Sequence, residues 1–107
     1  MESQTPMKKY WFGQKAPEHA DAWFEFYKAI ESKGVLDKKT KELISLAASS
    51  LMRCSHCVES HLLECKRAGA TKEECAEALM VASLLASATQ LFWMGDRLDK
   101  LLGDQSD

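Results

Sequence analysis

Apolar residues in this chain recur at helical spacing. Ala20, Trp23, Phe24, Tyr27 and Ile30 make one stripe at i, i+3 and i+4 intervals. Pro17, just ahead of them, suits a first helical turn, where its missing N–H would have no partner anyway. Gly34 is a natural C-terminal stop, so a helix is predicted from Pro17 to about that point. Asp37 can cap a second helix running to about Met52, with Leu43, Leu46, Ala47 and Ser50 as its core face. A third helix starts near the Cys54–Cys57 segment and ends at Gly69. Thr71 and Glu74 form a Thr-x-x-Glu capping box for a fourth, which carries Cys75, Leu79, Ala82 and Leu85 on its stripe. The small, polar stretch Ala86–Ser87–Ala88–Thr89 predicts a break. A last helix then runs from about Gln90 to Leu102 and stops at Gly103. Residues 1–16 read as an N-terminal arm without clear periodicity, and the tail 104–107 is expected to fray. No segment alternates with period two. The pattern predicts an all-α chain, a compact bundle of about five to six helices in a single domain spanning residues 1–107.

Composition narrows the function classes. A chain of 107 residues is one domain by length. Lys plus Arg total 14 against 16 Asp plus Glu, a net charge of −2. Such a balance predicts no nucleic-acid partner, because phosphate binding relies on clustered cations. A hydrophobic content of 46% excludes whole-chain disorder. No run approaches the ~20 unbroken apolar residues of a membrane span, so no membrane partner is expected. Met1 to Gln14 holds no apolar core of a signal peptide. The four cysteines are therefore expected in a reducing cytoplasm. There a close pair is more often catalytic or metal-binding than a structural staple.

Small size has a second consequence. A chain this short buries only about two-thirds of its unfolded surface. Tyr10, Trp11 and Phe12 stand in a row in the arm. Phe92, Trp93 and Met94 are consecutive on the last helix and spread over roughly 200° of it. The surplus predicts self-association.

The chemistry concentrates in Arg53–Cys54–Ser55–His56–Cys57–Val58–Glu59–Ser60–His61. Two cysteines three apart at a helix start can close a small disulfide. First-turn amides and the helix dipole stabilise a thiolate, lowering one pKa below the free value of ~8.5. A thiolate there suits thiol–disulfide or peroxide chemistry. Cys57 and His61 are i, i+4 and share a helix face, so a neutral imidazole can take the thiol proton. Glu42 enters by geometry. If the chain reverses near Arg53, His61 lies level with residue 45, and Glu42 is about 4.5 Å further along the axis at 1.5 Å per residue. A glutamate spans that gap directly or through a water, making a Glu–His–Cys relay possible.

Other readings of these residues stay open. Cys54 and Cys57 can be small buried hydrophobes, His61 a half-buried histidine, Glu42 a solvated helix glutamate, and His56 an exposed bystander. Cys54, Cys57, His61 and Cys65 make a tempting zinc quartet, but residues 54 and 65 lie about 16 Å apart on a straight helix. Zinc ligands must converge within about 2.0–2.3 Å of the metal. Covalent haem attachment is excluded, because Val58 follows the second cysteine where it needs histidine. Cys65 and Cys75 read as core cysteines. Cys65 is about 12 Å along the helix from Cys57, too far for a disulfide. His19, in the first turn of the Pro17 helix, is assigned no role.

The pattern Glu42-x11-Cys54-x-x-Cys57-x3-His61, followed by Ala68–Gly69–Ala70–Thr71–Lys72–Glu73–Glu74, resembles the alkylhydroperoxidase D branch of the carboxymuconolactone decarboxylase superfamily. The resemblance covers about residues 35 to 100. It implies an all-helical fold with a helix–turn–helix carrying the Cys-x-x-Cys motif, assembled as a trimer or hexamer. It implies that Cys57 is the peroxide-reactive thiol, passing through a sulfenic acid. Cys54 would resolve it and be the more exposed thiol that meets the reductant. His61 and Glu42 would relay protons, with His56 as a possible accessory. The expected function is a thiol-dependent peroxidase or disulfide oxidoreductase that reduces hydroperoxides. It would use no cofactor beyond the cysteine pair and no metal, and its reductant would be a lipoyl or thioredoxin-like dithiol protein. The alternatives are a small-molecule lyase on the same fold and a non-enzymatic metal-binding module.

Overall fold

A computed structural model describes residues 6–103. Among them are a 3-10 turn (Pro6–Lys9) and five α-helices: α1 (Trp11–Lys15), α2 (Pro17–Ser32), α3 (Lys38–Leu51), α4 (Ser55–Arg67) and α5 (Lys72–Leu102). No strand occurs among the described residues, and the all-α expectation holds. The tail 104–107 and residues 1–5 of the arm lie outside the described residues. The chain divides into two compact units, Met1–Lys38 and Lys39–Asp107.

In the first unit the arm is more ordered than its sequence suggests. The five-residue α1 packs on the 3-10 turn through Gly13, which is buried. A Cβ at Gly13 would sit 1.8 Å from the Met7 carbonyl oxygen, so only glycine permits this approach. Helices this short complete barely one turn and leave no periodic signature, which is why the pattern along residues 1–16 missed them. Pro17 opens α2 as expected. Of the α2 stripe, Ala20 is buried and Phe24 half-buried, while Trp23, Tyr27 and Ile30 are exposed. Phe12 meets Trp23 edge-on at 6.4 Å, and Trp23 stacks on Tyr27 at 5.8 Å.

The second unit holds α3, α4 and α5. The largest fully buried side chains are Leu46, Glu42 and Cys65. The buried line of α3 is therefore Glu42–Leu46–Ser49 rather than the expected Leu43–Leu46–Ala47–Ser50, of which only Leu46 is buried. The helix is rotated toward its more polar stripe. Burying a carboxylate requires a partner, and α4 supplies one.

Both turns of this unit are Schellman closures. After α3, the Arg53 N–H donates to the Ser50 carbonyl and the Cys54 N–H to that of Ser49. After α4, the Gly69 N–H donates to the Lys66 carbonyl and the Ala70 N–H to that of Cys65. Gly69 takes the left-handed conformation at no steric cost, φ +85°. Arg53 takes it with a side chain, φ 55°, immediately before the first cysteine. A non-glycine residue there carries roughly 1–2 kcal/mol of backbone strain.

The break expected at Ala86–Thr89 is absent, and α5 runs unbroken for 31 residues. Alanine is the best helix former, and the two hydroxyls turn back onto their own helix. Ser87 Oγ donates to the Leu84 carbonyl and Thr89 Oγ1 to that of Ala86, each at 2.8 Å. With those hydroxyls satisfied, α5 is long and apolar enough, by length and composition, to cross a membrane. The sequence lacks an unbroken apolar run of that length because Glu77, Ser83, Ser87, Thr89 and Gln90 interrupt it. The Thr71–Glu74 capping box forms as expected: the Glu74 N–H donates to Thr71 Oγ1 at 3.0 Å, and the Thr71 N–H donates to Glu74 Oε1 at 2.9 Å. Glu74 Oε2 also accepts from Lys39 Nζ at 2.8 Å, joining α3 to α5.

Candidate active site

The turn at Arg53 points Cys54 into position to start α4. Cys54 is its N-cap, and its Sγ accepts the Cys57 N–H at 3.3 Å. Cys54 and Cys57 are disulfide-bonded, with Cα atoms 5.2 Å apart. Both residues are half-buried. A sulfur at the N-cap sits against the unpaired amides of the first turn, where a thiolate is stabilised once the pair is reduced.

One turn beyond Cys57, His61 reaches across to α3. Its Nδ1 lies 3.0 Å from Glu42 Oε2. The Glu42 side chain is 1% exposed and that of His61 26%. Glu42 stands nine residues before the end of α3 and His61 six after the start of α4, so the two helices run antiparallel. The axial offset anticipated from the sequence is closed by a direct contact, without an intervening water. In the tautomer that donates its Nδ1 proton to the carboxylate, Nε2 is left as the ring's proton acceptor.

His56 lies exposed on the first turn of α4, outside the Glu42–His61 pair. The zinc quartet is not assembled: Cys54 and Cys57 bond to each other, and Cys65 lies buried further along α4. Among the described residues no three His, Cys, Asp or Glu side chains group closely enough to hold a metal ion. Cys65 is 1% exposed. Burial, the adjacent Cys75 thiol and the Glu42 carboxylate push its pKa up to about 11. In the first unit, His19 lines an open apolar cleft of ≈ 370 Å³ with Phe12, Ala16, Ala20 and Trp23.

The model of the carboxymuconolactone decarboxylase family matches residues 17–94. A Paracoccus denitrificans protein described as "Uncharacterized protein 4 in cox locus" is 40% identical over 63 residues, covering 59% of this chain and 57% of that protein. The Mycobacteroides abscessus alkyl hydroperoxide reductase AhpD is 40% identical over 55 residues, covering 51% of this chain and 31% of that protein. The chain thus spans less than two-thirds of the length of these curated relatives. A crystal structure of a Methanobacterium thermoautotrophicum protein superposes with a TM-score of 0.75 at 34% identity, covering 79% of this chain and 98% of that one.

Proposed function

We propose that this chain, which belongs to the carboxymuconolactone decarboxylase family and to its alkylhydroperoxidase D-like branch, is a thiol-dependent peroxidase working through Cys54 and Cys57. Membership by itself points to an enzyme of the hydroperoxidase or decarboxylase kind. The observation that favours redox chemistry is a disulfide set one turn before a histidine that is itself held by a buried carboxylate.

In the reduced protein, His61 Nε2 takes the proton of Cys57, and Glu42 stabilises the imidazolium through Nδ1. The Cys57 thiolate attacks the outer oxygen of a hydroperoxide. The O–O bond breaks, and the leaving alkoxide takes the proton back from His61, giving an alcohol and a Cys57 sulfenic acid. Cys54 then attacks the Cys57 sulfur, the S–O bond breaks, and water leaves with the Cys54 proton. The cysteines lose two electrons and the peroxide gains two. That half-reaction ends in a Cys54–Cys57 disulfide, the pairing for which the two sulfurs are placed. A dithiol protein of the lipoyl or thioredoxin-like kind reopens it by exchange at Cys54. The reaction uses no metal and no cofactor besides the two sulfurs, and the compartment proposed is the cytoplasm.

The same reading includes a homo-oligomer, a hexamer or trimer. A single chain leaves Leu91, Phe92 and Trp93 of α5 exposed. Such an apolar surface is unusual for a monomer.

Thiol titration tests the redox claim. Mild oxidation of the reduced protein should consume the Cys54 and Cys57 thiols together, and dithiothreitol should restore both. Thiols that stay unreactive until a chelator is added would contradict it and favour a metal module.

A further inference from the structure

Glu42 and Leu46 share the buried line of α3 with Ser49, a polar residue that the reaction above does not use. Ser49 is only 7% exposed. It lies two helical turns beyond Glu42 on the same face, the face from which Glu42 reaches His61 on α4.

The closure after α3 pairs Ser49 with the first cysteine. The Cys54 N–H donates to the Ser49 carbonyl at 3.3 Å. In a Schellman closure the residues joined by this longer bond bring their side chains together on one side of the turn, usually in an apolar contact. The closure after α4 keeps to that rule, because its equivalent bond joins Ala70 to Cys65, two small side chains of low polarity. After α3 the pair is a hydroxyl and a sulfur. Ser50 satisfies its own hydroxyl on the Ala47 carbonyl at 2.8 Å, whereas Ser49 Oγ makes no hydrogen bond among the described residues. A buried hydroxyl with its donor unused therefore stands at the position paired with Cys54.

We propose that Ser49 is a positioning residue for Cys54: in the reduced protein its hydroxyl donates a hydrogen bond to the Cys54 sulfur and holds it as a thiolate. This deepens the thiol-peroxidase reading, on which it rests for its role in turnover.

Cys54 lacks the histidine that serves Cys57. Its sulfur already accepts the Cys57 N–H at 3.3 Å, and Ser49 adds a second donor from α3. Hydrogen bonds to the charged form lower a pKa, and the ionised sulfur is the nucleophile. Cys54 gives its proton to solvent and attacks the Cys57 sulfenic acid. The S–O bond breaks, and the departing hydroxide takes a proton back and leaves as water. On the return, a donor thiolate attacks Cys54 and Cys57 leaves as a thiolate. The second donor thiolate then attacks the donor sulfur of the mixed disulfide, and Cys54 leaves as a thiolate. The donor loses the two electrons that the cysteines gain. Ser49 keeps its proton throughout, and it favours Cys54 both as attacking and as leaving group.

The test reads the Cys54 pKa without peroxide. In the reduced full chain carrying Cys57→Ser, alkylation of Cys54 by iodoacetamide is followed against pH, with fragment-ion mass spectrometry separating it from Cys65. The charged groups around it, Arg53, His56, Glu59 and His61 along the chain and Glu42 on α3, stay in place when Ser49 is changed. Cys54 should titrate below the free value of ~8.5. Ser49→Ala should raise that pKa by about one unit, and Ser49→Thr, which keeps the hydroxyl, should restore it. Circular dichroism checks that each variant is folded. An unchanged pKa in Ser49→Ala, or an equal rise in Ser49→Thr, overturns the proposal. So does a Cys54 pKa at or above ~8.5 before Ser49 is touched, a result that needs no Ser49 variant to fold.

A second arm uses both cysteines and one equivalent of hydrogen peroxide. A one-unit rise cuts the thiolate fraction about ten-fold and raises its nucleophilicity about three-fold, so disulfide closure in Ser49→Ala should slow about three-fold at a pH below both pKa values. Dimedone trapping of the Cys57 sulfenic acid measures this. The pKa shift without any peroxide consumption removes the peroxidase reading and supports the Ser49–Cys54 bond. Peroxide consumption without the pKa shift leaves the peroxidase reading intact and overturns the role of Ser49.

Discussion

Nδ1 of His61 lies 3.0 Å from Oε2 of Glu42, across a sequence separation of 19 residues. The carboxylate is buried and the imidazole half-buried, so the pair has an inner, sealed end and an outer end open to solvent. A buried carboxylate fixes the ring, sets which nitrogen carries the proton and stabilises the imidazolium once it forms. Glu42→Gln and His61→Ala are each expected to slow oxidation of the reduced cysteines by about 10²–10⁴-fold, the usual cost of losing a general base. Stopped-flow fluorescence with hydrogen peroxide measures this. Circular dichroism should show both variants folded, and wild-type rates in both would return these residues to a structural role.

Cys57 sits one turn before His61, and Cys54 at the helix cap has no histidine at that spacing. Cys54→Ser should therefore trap a sulfenic acid on Cys57 after one equivalent of peroxide. Dimedone labelling followed by mass spectrometry reads it directly. Labelling of Cys54 in Cys57→Ser, with none on Cys57 in Cys54→Ser, would reverse the order of attack.

Much of this was legible in the sequence, for identifiable reasons. Glu42, Cys57 and His61 lie on helices, and Cys54 at a helix cap, in a stretch whose start and stop are marked by Asp37 and Gly69. Their register could therefore be counted to within one turn, and the structure supplies the direct Glu42–His61 contact that the count left open between a direct and a water-bridged pairing. The short α1 escaped because one turn has no period. The break expected at Ala86–Thr89 failed because Ser87 and Thr89 satisfy their hydroxyls on α5 itself. The α3 face was misjudged because hydrophobicity ranks Leu43 above Glu42. A charge with a buried partner overrides that ranking, and the partner lies on another helix.

The start of α5 should carry a measurable share of stability. Thr71→Ala removes the side-chain half of the capping box and should cost about 1 kcal/mol in chemical denaturation. Glu74 forms the other half. Its hydrogen bond to Lys39, and then the Thr71 backbone N–H, hold its pKa below the ordinary 4.5. A carboxylate whose folded pKa is depressed contributes stability above its unfolded pKa and loses it as pH falls through the folded value. Denaturation midpoints should therefore fall below pH 4.5, and Glu74→Gln should flatten that fall. An unchanged acid limb in Glu74→Gln would remove Glu74 from the account.

The exposed aromatic surface predicts assembly. Phe92 is 85% and Leu91 75% exposed in the single chain. Covering apolar area contributes about 25 cal/mol per Å² before association costs. Sedimentation velocity at micromolar concentration should show a trimer or hexamer of the 12.0 kDa chain. A single 12.0 kDa species would contradict assembly. Recovery of the chain in a salt-resistant membrane fraction would assign the α5 surface to lipid instead.

Steady-state turnover tests the central claim most directly. Reduced protein, a hydroperoxide and a dithiol donor (a lipoyl domain or a thioredoxin, each with its own reductase) are mixed, and peroxide loss is followed against donor oxidation. The account predicts catalytic consumption with one donor dithiol oxidised per peroxide, and activity abolished in Cys57→Ser. Consumption no faster than the donor alone, or equal turnover in Cys57→Ser, would contradict it.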